Sequence, residues 1–176
     1  MTERPRGRRR PTPAESDAFY HGYISLVPEG DIIDILGEQQ AALQELIATI
    51  PEDKSDYRYA PGKWTTREVV GHVIDTEWVF VSRALWFARA VPTPLPGMDQ
   101  DEFMTGANFG DRPLPQLAEE HRNLRSAAIV LFESFDEDIM DRAGVASGLE
   151  FTVRAITHIV AGHASHHMGV LEERYL

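Results

Sequence analysis

Two histidines four residues apart, His163 and His167, stand in the stretch Gly162-His163-Ala164-Ser165-His166-His167-Met168-Gly169. On a helix, positions i and i+4 lie one above the other on the same face. Two imidazoles so placed can ligate one metal ion. The pair is in register with the apolar positions Ile156, Val160 and Val170, so both rings point where a helix points its core residues. The bland alternative is a pair of packing histidines, each of which must find partners for two ring nitrogens. His166 flanks the pair as a rim residue. A third histidine, His72, occupies a core-facing slot among Val69, Val73, Thr76, Val79 and Phe80, and it is the candidate third ligand. Asp75, one turn on, is the candidate catalytic residue, placed to orient the His72 ring or accept a proton. His121 stands alone on its apolar stripe and reads as a packing residue. His158 lies about 140° around the helix from His163, away from the pair.

The chain has no cysteine, so any metal is held by imidazole, carboxylate and water, and any thiol must come from a small-molecule cosubstrate. Three imidazoles without a fourth protein ligand leave coordination positions open, as in catalytic sites. Such a centre lowers the pKa of a bound water or thiol and presents the resulting nucleophile to an electrophile. The competing reading is a non-catalytic metal-binding bundle, which predicts a closed site and no cleft. Three imidazoles plus water suit zinc, nickel, iron or manganese. Arg83 is core-facing too. A cation there needs an acid partner, expected to be Glu77 or the Asp99/Asp101 loop, or, as the sharper alternative, a substrate carboxylate.

Four segments must position these residues. Asp31 to Ile50, Thr65 to Ala90, Pro115 to Phe135 and Thr152 to Arg174 each repeat apolar residues at helical spacing. Asp31 is a fair N-cap, Pro51 a stop, and Thr65-Thr66-Arg67-Glu68 has the form of a capping box. In the first segment Gln39 is the one polar break in the stripe. The spacing predicts an all-α four-helix bundle, with a long Pro/Gly-rich acidic connection over 91–113 between the second and third helices. Residues 136–150 read as a loop or short hairpin, and Phe19 to Val27 as an irregular aromatic segment. Residues 1–18 read as a disordered basic arm, leaving 19–176 as the single domain.

Net charge is −11, and residues 1–20 hold five of the arginines, so the body is more acidic still. That argues against nucleic-acid binding by the fold. No apolar run approaches the roughly 20 residues of a membrane span, and a cytoplasmic location is expected. Exposed aromatics such as Trp78 and Trp86 could serve a homodimer, or else pack in the core.

The chain resembles the DinB/YfiT-like superfamily of metal-binding four-helix bundles. The resemblance rests on Tyr59-Ala60-Pro61-Gly62-Lys63-Trp64-Thr65 running into Gly71-His72-Val73-Ile74-Asp75-Thr76-Glu77, on Arg83-Ala84-Leu85, on Asp99-Gln100-Asp101 and on Gly162 to His167. It covers about residue 20 to the end. It implies a divalent metal, usually nickel or zinc, on His72, His163 and His167. It also implies small-molecule chemistry, either thiol-dependent transfer or isomerisation with bacillithiol, mycothiol or glutathione, or metal-dependent hydrolysis.

Overall fold

The computed structural model describes residues 9–92 and 94–176. In chain order its elements are a short α1 (His21–Ser25), α2 (Ile32–Thr49), α3 (Thr66–Ala88), a short α4 (Gln100–Gly106), α5 (Leu114–Glu133), a single turn α6 (Glu137–Met140), a hairpin of β1 (Ala143–Ala146) and β2 (Leu149–Thr152), and α7 (Val153–Arg174).

The caps read from the sequence are in place. Asp31 Oδ1 accepts from the Ile33 N–H at 2.9 Å. Thr65 Oγ1 accepts from the Glu68 N–H at 3.1 Å while Glu68 Oε2 accepts from the Thr65 N–H at 2.6 Å, completing the capping box. Thr152 opens α7 by accepting from the Ala155 N–H at 3.0 Å. Within the 91–113 connection, Asp99 caps α4 through the N–H groups of Asp101 and Glu102. Part of that acidic cluster is therefore a helix start. The hairpin turns at Ser147-Gly148, both at positive φ (54° and 74°), as a two-residue turn between twisted strands requires.

The four long helices form the bundle, and their order around it decides where the histidines meet. The principal packings are α3 on α7, α2 on α5, α3 on α5 and α2 on α7. Consecutive helices α2 and α3 therefore sit on a diagonal, and α3 lies beside α7. Two apolar clusters fill the interior. One holds Phe80, Phe87, Phe132, Phe135 and Phe151; the other holds Leu43, Val69, Val73, Leu117, Leu124 and Leu171. Between them runs a buried polar waist, to which α2 gives Gln39, α3 gives His72, Thr76 and Glu77, α5 gives His121 and Arg125, and α7 gives His163.

Two expectations change. The Phe19–Val27 segment is not irregular throughout: α1 lies on α7 and buries Ile24, and Val27 just beyond it is buried as well. Residues 1–8 of the expected arm lie outside the described residues, but residues 9–18 pack on the body. Arg10 Nη1 donates to the Val27 carbonyl at 3.0 Å. Glu15 accepts from Arg9 at 2.5 Å, from the Thr152 hydroxyl at 3.1 Å and from Arg154 at 3.2 Å. Composition registers the arm's low hydrophobicity, but not an acid that a buried arginine 139 residues away requires. Trp78 and Trp86, read as either dimer or core residues, are exposed.

Candidate metal centre

His72 projects from α3, and His163 and His167 from α7. One nitrogen of each ring lies within 4.8 Å of the other two. His72 Nε2 is 3.1 Å from His163 Nε2. Ring centroids are 4.9, 4.8 and 4.5 Å apart for the 72–163, 72–167 and 163–167 pairs. The two first-named rings are buried and the third is half-buried.

The glycine before each buried histidine explains how other segments close over the site. A Cβ on Gly71 would lie 2.4 Å from the Phe109 ring, and one on Gly162 would lie 2.0 Å from the Tyr23 carbonyl oxygen. Only a residue without a side chain lets Phe109 and α1 approach so near. Tyr23 then covers His163 and His166, with centroids 5.5 Å from each, and Trp64 lies over His72 at 4.7 Å.

This packing sets the protonation state. Burial, and next the His166 charge, push His72 down to about 4. Burial, with the charges of His72 and His166, pushes His167 to about 3. His163 is pushed well below the usual imidazole value, again chiefly by burial. All three rings are therefore neutral at neutral pH, with lone pairs available for a cation. The Nδ1 atom of His167 is buried with no hydrogen-bond partner among the described residues. Converging neutral nitrogens, one of them orphaned, fit a divalent ion of borderline softness such as zinc or nickel. One side of the cluster is open. A cleft of about 330 Å³ reaches His167, lined by Tyr59, Lys63, Trp64, Gln100, Asp101 and His166.

The remaining predicted residues go elsewhere. Asp75 is not in the cluster. It is half-buried, with Glu120 and Arg112 as its charged neighbours, and burial followed by the Glu120 charge raises its carboxyl. The group beside His72 Nδ1 is the Thr76 hydroxyl, at 3.5 Å. His121 is fully buried with Nε2 3.3 Å from Glu77 Oε2, a contact without hydrogen-bond alignment, and does not reach the cluster. His158 bonds through Nδ1 to the Arg154 carbonyl at 3.0 Å. Glu77 pairs not with Arg83 but with Arg125, through two bonds of 2.6 and 2.7 Å. Arg83 reaches neither Glu77 nor the carboxylates of Asp99 and Asp101, although it does meet their loop. Its Nη2 donates to the Pro96 carbonyl at 3.1 Å and to Ser147 Oγ at 2.9 Å.

Sequence reasoning missed Thr76, Trp64 and Tyr23 as neighbours of the histidines, and Arg125 as the partner of Glu77. One signal was visible. The polar break at Gln39 marks the waist, where its amide donates to the Ala161 carbonyl and Ser165 Oγ, both at 2.8 Å, and its oxygen accepts from Arg125 at 2.8 Å.

Among solved structures, YfiT from Bacillus subtilis, described as a probable metal-dependent hydrolase with an unusual four-helix bundle topology, matches at a TM-score of 0.70. The identity is 17%, over 95% of this chain and 91% of that one. A DinB-like protein from Bacillus subtilis, YjoA, matches at 0.58 with 20% identity, over 81% of this chain and 88% of that one. A mycothiol-dependent maleylpyruvate isomerase matches at 0.64 with 12% identity, over 86% of this chain and 62% of the isomerase. At such identities the likeness is one of fold. No curated protein matches the chain. The sequence profile of the DinB superfamily matches residues 35–171, a span that reaches into all four long helices and includes His72, His163 and His167, and the chain belongs to the DinB superfamily.

Proposed function

We propose that the protein is a metal-dependent enzyme in which His72, His163 and His167 hold a divalent cation, zinc or nickel before iron or manganese, and that it acts on a small molecule. The observation that carries this reading is the convergence of three neutral ring nitrogens from two helices, with a cleft on one side. A cation there would act as a Lewis acid and lower the pKa of water or of a low-molecular-weight thiol, which makes the reaction a hydrolysis or a thiol S-transfer. The chain's own residues then do the rest. Tyr23 covers the His163 ring on the protein side, while Trp64 lies over His72 and also lines the cleft that is the approach for substrate. Lys63, Gln100 and Asp101 line that approach with a cation, an amide and a carboxylate that orient a polar substrate. Thr76 holds the His72 ring from behind, the part the sequence suggested for Asp75. The similarity to a structure described as a probable metal-dependent hydrolase, and to one named for mycothiol dependence, supports both chemistries.

No helix among the described residues is long and apolar enough to cross a membrane. A cytoplasmic location belongs to the same reading.

Elemental analysis of the purified protein tests the centre. About one equivalent of metal in wild type, lost in His72→Ala and in His163→Ala, is the expected result. A wild type that stays metal-free after incubation with excess zinc and nickel overturns it. Uptake and stabilisation without turnover, in hydrolysis and thiol-transfer screens of the loaded protein, would instead favour a non-catalytic metal-binding bundle.

A further inference from the structure

Three arginines are buried among the described residues, and they differ in what answers their charge. Arg125 is held by both oxygens of Glu77. Arg154 is held by Glu15, Glu137 and Asp141. Arg83 is 4% exposed, yet no carboxylate lies within ion-pair distance of it among the described residues. It donates to the Pro96 carbonyl and the Ser147 hydroxyl, the Tyr20 phenol is nearby, and the Phe80 centroid is 5.2 Å from the guanidinium carbon. All are neutral. A desolvated guanidinium without a counter-ion is costly, and its planar fork of donors suits a carboxylate.

The same arginine lines a cavity of about 390 Å³ outside the histidine cleft. Trp78, Trp86, Met98 and Phe103 make its walls apolar. The two indoles are 51% and 42% exposed, so large apolar rings stand at the mouth of the pocket with nothing covering them. The far wall is built rather than loose. Leu95 bonds to β1 through the Val145 carbonyl at 2.9 Å, and Ser147 sits at positive φ in the hairpin turn with its hydroxyl on Arg83.

We propose that this cavity binds a small organic acid with an apolar, preferably aromatic, body, its carboxylate paired with Arg83 and its body between Trp78, Trp86 and Phe103. The site stands on Arg83 and the cavity, independently of whether the histidines bind metal.

Indole fluorescence of the full chain during titration with 3-phenylpropionate, and in parallel with the isosteric 3-phenylpropanamide, tests this. The acid should saturate the signal and bind at least about tenfold more tightly than the amide, since the charge-assisted pair is what the amide lacks. Arg83→Gln should remove the preference for the acid. Ser82→Trp, a substitution at an exposed position on the rim, should block both ligands while leaving metal uptake unchanged. Equal affinity for acid and amide in wild type, or no saturable response to the acid, overturns the proposal without relying on any variant. A dimer in sedimentation whose indoles are shielded from acrylamide quenching would overturn it as well.

Discussion

The polar waist has two halves that share α3 and behave oppositely. On one side, Glu77, Arg125 and Gln39 answer one another: a bidentate ion pair, an amide on the guanidinium, and that amide's own nitrogen bonded to α7. On the other side, five residues earlier on the same helix, His72 meets His163 and His167, and three neutral rings face each other with no acid among them. Both halves are largely buried, and the charged one carries the larger desolvation cost. The Glu77–Arg125–Gln39 network is satisfied internally, although His121 beside it has no aligned partner, whereas in the histidine half His72 and His163 meet each other and His167 Nδ1 has no partner among the described residues. A complete buried network is a structural element, whereas an incomplete one is shaped for a ligand. Arg83 repeats the contrast among the arginines.

The sharpest break of this comparison is Glu77→Gln, which strands Arg125 in the interior. It should cost about 3–5 kcal/mol in urea denaturation. A loss below about 1 kcal/mol would show that the ion pair is not what completes that half. Zinc should act on the other half alone. At a free concentration of 100 times its dissociation constant it should stabilise wild type by about 2.7 kcal/mol, and His72→Ala should lose that gain without much loss of stability in the metal-free protein. Equal stabilisation of wild type and variant by zinc would remove the histidine half from the argument.

Proton linkage separates the halves by pH. His72, His158 and His167 have folded values depressed to about 4, 4 and 3, below the ordinary imidazole value of 6.5. The unfolded chain therefore binds protons first, and metal-free stability should fall as pH drops below about 6.5 and keep falling toward 4. The largest cause of each shift is burial. For His158, which is not in the cluster, the loss amounts to about 2 kcal/mol by pH 5. Glu77 is depressed to about 2, although burial alone would raise it, because the Arg125 charge and hydrogen bonds outweigh that cost. Its contribution is present above the unfolded value of 4.5 and is lost only as pH falls from there toward 2. Denaturation midpoints measured from pH 8 to pH 3 should show the histidine window first. A flat profile down to pH 5 would contradict buried neutral imidazoles.

The smallest effects sharpen the comparison within the histidine half. Thr76→Val should weaken zinc binding about tenfold by freeing the His72 ring, as loss of a group behind a metal ligand does. Asp75→Asn should leave zinc affinity unchanged within error in the same titration. If the two results were exchanged, Asp75 would be the orienting group after all.

Much of the architecture was legible because helix formation is local. Asp31, Pro51, Thr65 with Glu68, and Thr152 announced the ends of three of the long helices, and the apolar stripes announced their inner faces. The histidine pair was legible for the same reason, since four residues on one helix is a distance the backbone fixes. Gln39 showed that a polar group would be buried, but not what it would meet.

What the sequence by itself determined is therefore what neighbours along the chain decide: four amphipathic helices, the i,i+4 pair His163 and His167 on a core face, and His72 in a core-facing slot. Only the tertiary structure decided that α2 and α3 lie on a diagonal and that α3 lies beside α7. That arrangement brings His72 to the pair, gives Glu77 to Arg125 and leaves Arg83 with neutral partners only. It also decided that Thr76, not Asp75, stands behind His72. Partner choice between buried polar groups depends on which helices become neighbours and at what height, and spacing within one helix carries no record of either.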